Sequence, residues 1–178
     1  MSDLTTSGVL SYAALAAAWD LHQRRIPNWL SATSLFAAVA LSFSQGGIGI
    51  GRAAAGFVLG FALLLLPFAL GMVGGGDVKF VAVVGAWLGP ILGFQALLFG
   101  SVAGLVVGIC YSAFHGRLGA TLRSSGQLLW LMSATLTPQA FAPSRPESSA
   151  LAPIPYAVPL ALGVAAAVTL DRFGATLL

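Results

Sequence analysis

Residues 57–73 read FVLGFALLLLPFALGMV, residues 74–79 read GGGDVK, and residues 80–89 read FVAVVGAWLG. Two oily runs are thus parted by three glycines, an acid and a base. A helix that crosses the hydrocarbon of a bilayer needs roughly 20 mostly apolar residues. The run before GGGDVK meets that length, and the surroundings repeat the pattern. The chain has 178 residues, 58% of them hydrophobic and 7% charged, where soluble domains carry about a quarter charged residues. These numbers predict an all-α integral membrane protein, a bundle of about six transmembrane helices forming one domain over residues 1–178.

Six segments carry the prediction: Leu4–Trp19, Trp29–Phe43, Ala53–Val73, Val78–Leu88, Ile91–Phe114 and Ile154–Leu170. The fourth is short for a span. Between them lie DLHQRRIPN, SQGGIGIGR, GGGD and a tight Gly89-Pro90 turn. Residues 115–153 form a long connection whose second half is rich in Pro, Ser and Ala and reads as a loop. The first segment has no basic start and runs straight into Asp20, so it reads as a retained helix rather than a signal peptide.

The eight bases form no run, which argues against a nucleic-acid partner. Their placement is more informative, because cytoplasmic loops collect Lys and Arg. With six spans, Arg24, Arg25, Lys79, Arg117, Arg123 and Arg145 share one face and only Arg52 and Arg172 the other. The first face is therefore expected to be cytoplasmic. The single cysteine, Cys110, cannot pair within the chain and reads as a small buried hydrophobe. Trp19, Trp29, Trp87 and Trp130 fall near predicted helix ends and read as interfacial anchors.

On the same expected face stand two acids, Asp20 at the end of the first helix and Asp77 at the start of the fourth. An acid at membrane depth is costly and usually faces a bundle interior or a watery cavity. Two carboxyls in one site do not both ionise easily, so the pair divides into an acid and a base. In amide hydrolysis the ionised member can activate water while the protonated member bonds the scissile carbonyl. That chemistry needs no metal, cofactor or nucleophilic side chain.

Neighbouring residues have parts in this reading. Gly74 and Gly76 would give a substrate backbone room. Pro27 would start the second helix, with Asn28 capping it. Lys79 either reaches to the surface or tunes Asp77. Plainer readings stand beside these. GGGD also fits an ordinary turn, and Asp20 beside Arg24 and Arg25 also fits an interfacial charge cluster. A different function, a transport or assembly protein using the acids as a proton relay or not at all, would call for a polar path across the membrane.

The motifs also resemble a known family. Asp20 followed by LHQRRIPN, then Gly74-Gly75-Gly76-Asp77-Val78-Lys79, then Pro155-Tyr156 with Pro159 and Gly163, are similar to the type IV prepilin peptidases, membrane aspartic proteases with a GxGD motif. The resemblance implies that Asp20 and Asp77 are the catalytic pair. It implies a prepilin substrate with a short basic leader, cut at the cytoplasmic edge of a bacterial or archaeal inner membrane. Only seven residues separate Asp20 from Asn28 and no CxxC is present, so the chain looks like the short form of tight-adherence (Flp) pilus systems, without support for N-methylation of the trimmed pilin.

Overall fold

The computed structural model describes residues 2–44, 47–71, 73–114 and 156–174. The connection 115–153, Trp130 and Pro155 lie outside the described residues. Those residues form five helices and no strand: α1 (Asp3–Gln23), α2 (Asn28–Ser42), α3 (Ile50–Ala69), α4 (Gly75–Phe114) and α5 (Ala157–Arg172). The all-helical class is as the composition predicts. Five helices stand where six spans are expected, and two of them, α3 and α4, are long and apolar enough to cross a membrane.

The difference lies in α4, which runs through both the fourth and fifth predicted segments. It has 40 residues, about 60 Å if straight. It is not straight. Gly89 has φ 79° and ψ −179°, outside helical geometry, a backbone open to a residue without Cβ. Pro90 follows and has no N–H to continue the ladder. Residues 85 and 93 would stand about 12 Å apart along an unbroken helix, yet a Cβ placed on Gly93 would lie 3.0 Å from the Gly85 Cα. The chain therefore doubles back at Gly89, and residues 75–88 and 90–114 are two helical stretches.

The chain separates into two compact units, Met1–Gly104 with Pro155–Leu178, and Leu105–Ile154. The second contributes only residues 105–114, the last turns of α4, to the described residues. In the first unit, α1 buries the stripe Val9, Tyr12, Ala13, Ala16 and Asp20, the spacing of one helix face. On α5, Leu160, Val164, Ala167 and Val168 are buried in the same core. Asp20 meets Ala157 at one end of this pair and Asp3 meets Arg172 at the other, so α1 and α5 run antiparallel along their whole length.

Helix α1 and the first half of α4, residues 75–88, are antiparallel as well. A Cβ at Gly8 would strike the Trp87 ring, while one turn on, Tyr12 stacks on Phe80 with ring centroids 5.4 Å apart. Tyr12 also shares a hydrogen bond with Ser31 of α2 at 3.3 Å. Trp87 is buried, and its indole N–H donates to Ser34 at 2.9 Å. It is thus a core residue joining α4 to α2, not an interfacial anchor; its position near a predicted helix end hid a turn that folds inward. Cys110 is exposed rather than buried, because the apolar run that holds it presents that face outward.

Small residues allow the closest crossings. A side chain at Gly56 of α3 would run into the Gly85 carbonyl of α4, and one at Gly163 of α5 would run into Gly100 and Ala96. Helices in lipid gain little from burying apolar surface against each other, so close backbone approach through such residues carries much of their association. Gly85→Leu should therefore lower thermal stability in detergent by about 1–3 kcal/mol or more, whereas Gly108→Leu, where a Cβ meets nothing within 4 Å, should leave the melting midpoint nearly unchanged. Equal midpoints for both variants would refute the crossing.

Candidate active site

Because α1 runs antiparallel to the first half of α4, the C-terminal end of α1 lies at the N-terminal end of α4. Asp20 stands in the last turn of α1 and Asp77 in the first turn of α4. The chain positions each with some care. Helix α1 ends at Arg24, whose backbone is left-handed (φ 52°) and whose N–H donates to the Asp20 carbonyl at 2.8 Å. This is a common helix stop, usually made by glycine. Asp20 is 9% exposed, and its Oδ2 accepts the backbone N–H of Ala157 at 3.1 Å.

Helix α3 ends at Ala69, two residues after Pro67, with Gly71 at φ 70°. It therefore stops short of Val73, where the third predicted segment ends, because Gly71 in the left-handed region already closes the helix. Gly74 precedes α4, and its carbonyl accepts the N–H groups of Asp77 and Val78 at 3.1 and 3.4 Å. The Asp77 carboxyl reaches back to the Gly74 backbone, the arrangement of an acid at the third helical position closing a capping box. Asp77 is half-buried.

The segments carrying the two acids touch elsewhere. Lys79 Nζ donates to Asn28 Oδ1 at 2.8 Å, and a Cβ on Gly76 would lie 3.7–3.8 Å from the buried Ile26 side chain. Lys79 is exposed, but it does not simply reach to the surface: it ties GGGDVK to DLHQRRIPN. Asn28 is the first residue of α2 and does not cap it. Pro27 takes the N-cap position and makes no side-chain cap bond, since proline has none to offer. Residue Gly75 sits against Phe68.

Of the residues singled out from the sequence, Asp20, Asp77, Gly74, Gly76, Lys79, Pro27 and Asn28 all lie at this one end. Tyr156 takes the N-cap position of α5, Pro159 and Gly163 lie within that helix, and its first residue, Ala157, bonds Asp20. Ile26 stood in the sequence reading only as part of the motif LHQRRIPN, without a role of its own. The Ala157 amide escaped that reading and carried no signal, because any residue but proline supplies it. A cavity of about 370 Å³ lined by Asp3, Thr6 and Arg172 lies at the opposite end of the α1–α5 pair and contains none of these residues.

The model of the type IV leader peptidase family matches residues 8–109. That span covers more than half the chain, from the first turns of α1 past both acids and into the second half of α4. The chain belongs to the type IV leader peptidase family. No curated protein and no solved structure matches it. The match includes both motifs that carry Asp20 and Asp77 and stops before α5, so the Pro-Tyr resemblance near residue 156 lies outside it.

The contact between the two segments can be tested as a structural statement. In a double-mutant cycle of Asn28→Ala and Lys79→Met, thermal stability should show a coupling on the order of 0.5–1 kcal/mol, the range for an exposed, charge-assisted bond. Strictly additive losses would mean that the bond does not form.

Proposed function

We propose that this member of the leader peptidase family is a membrane aspartic endopeptidase that removes the basic leader from prepilins of the Flp type, with Asp20 and Asp77 as its catalytic pair. The observation that carries the reading is the meeting of the two acid-bearing segments at one end of antiparallel helices, within the span matched by the family.

In this reaction the ionised carboxylate of the pair takes a proton from a water molecule as the water oxygen attacks the scissile carbonyl carbon. The protonated carboxyl hydrogen-bonds the carbonyl oxygen and steadies the negative charge that develops there. The tetrahedral intermediate then collapses: the C–N bond breaks, the departing nitrogen receives a proton from the pair, and the carboxyls return to their starting protonation. Which acid plays which part belongs to the pair as a unit.

The same arrangement supports a membrane placement. Six helical stretches, counting the two halves of α4, would serve as the spans, with Gly89 turning the chain at the far side. Arg24, Arg25 and Lys79 sit at the end of the two acids, while Arg52 lies against Gly89 and Arg172 pairs with Asp3 at the other end. Among the described residues, three bases against two, with the charge rule for cytoplasmic loops, favour a site facing the cytoplasm. Gly74 and Gly76 leave space for an extended substrate strand beside Asp77. The basic leader would dock by its own chain, since this end of the protein supplies bases of its own.

Asp20→Asn and Asp77→Asn, each inserted in membranes at normal level, should reduce prepilin processing by roughly 10²–10⁴-fold, the usual contribution of a general acid or base. Immunoblots of precursor and trimmed pilin read the result. Normal processing by either variant would remove the two-acid mechanism.

A further inference from the structure

Outside the two matched motifs, one polar contact reaches the proposed site from a distant part of the chain. Oδ2 of Asp20 accepts the backbone N–H of Ala157, 137 residues away, at 3.1 Å in a buried setting. Ala157 is the first residue of α5 and is itself fully buried. Its N–H is one of the groups that a helix start leaves without an internal partner.

We propose that the start of α5 is a positioning element for Asp20, a role that rests on the two-acid reading above. The Arg24 N–H already fixes the Asp20 main chain through its carbonyl. The Ala157 N–H fixes the side chain, setting the plane of the carboxyl so that Oδ1 is the oxygen presented to water and to Asp77. A catalytic carboxyl must be held in orientation as well as place, because small misplacement of reacting groups costs rate steeply.

The rest of α5 is fitted to hold that amide still. Gly163 packs against Gly100 and Ala96, where a Cβ would collide with their backbone, and Gly100 packs back against Leu160. At the far end Arg172 pairs with Asp3 at 2.9 Å. The helix is thereby secured against the second half of α4 and along α1, and its first N–H arrives at Asp20 in a fixed register. The chemistry asks only for an N–H, which explains why the residue there can be alanine.

The experiment removes that N–H alone. Lactic acid in place of Ala157 turns the Tyr156–Ala157 amide into an ester of nearly the same shape. Purified enzyme in detergent should lose on the order of 10–100-fold in kcat with KM unchanged, while Ala157→Gly, which keeps the N–H, should stay near the original rate. Ala157→Pro deletes the same donor at a helix position that accepts proline and should reproduce the loss in its folded fraction, measured by thermal melting. Unchanged kcat in the ester enzyme, with Asp20→Asn inactive beside it, would overturn the positioning role and leave the two-acid reading intact. A fall in KM alone would also overturn it. Activity in Asp20→Asn would overturn both.

Discussion

A carboxyl buried among helices must be given hydrogen-bond donors, because the low-dielectric interior does not replace water for it. Asp20 is such a carboxyl, and much of the bundle follows from how it is satisfied. Its donor comes from the first amide of α5, so α5 must start beside the end of α1. With that end set, the two helices run antiparallel until Arg172 meets Asp3. The α1 face turned inward also receives α4, through Tyr12 on Phe80 and Gly8 on Trp87, and the same direction of packing brings Asp77 to the end where Asp20 stands. One buried acid thus links the two motifs in the family match to a helix that lies beyond it.

Much of this was legible in the residues themselves. Apolar runs of near-span length named the helical segments, Gly89-Pro90 named the place where the chain turns, and the pairing of an acid with polar, glycine-rich sequence named both halves of the candidate site. Other features were not legible, for physical reasons. Hydropathy reports that a segment avoids water but not which helix it meets, so the α1–α5 pairing had no sequence signal. Trp87 looked like an interfacial anchor because a tryptophan near a helix end usually is one; here Ser34 gave its N–H a partner inside the bundle. Cys110 looked buried because its neighbours are apolar, yet in a membrane protein an apolar face can be the outer one. Asn28 fitted the composition of a cap, but Lys79 took its carbonyl.

The glycines divide into two kinds of work. At Gly89 the backbone needs a conformation closed to other residues, and that need turns one 40-residue helix into two stretches. At Gly56, Gly85, Gly100 and Gly163 the need is space, since neighbouring backbones occupy the place of a side chain. The glycines of GGGD match neither pattern closely. A Cβ on Gly74 or Gly76 would make only tight or ordinary contacts, 3.3 Å from Asp77 and 3.7 Å from Ile26. Neither meets a neighbouring helix backbone as Gly56 and Gly163 do.

The central claim is that Asp20 and Asp77 face one another across a single site. Cysteines at these two positions, in a Cys110→Ser background that leaves no other thiol, test it directly in native membranes. A short bis-maleimide should join them within one chain, and mass spectrometry of the digested protein should recover the linked peptides. If both cysteines react with a monofunctional maleimide but no link forms, the two acids do not share a site and the account is wrong.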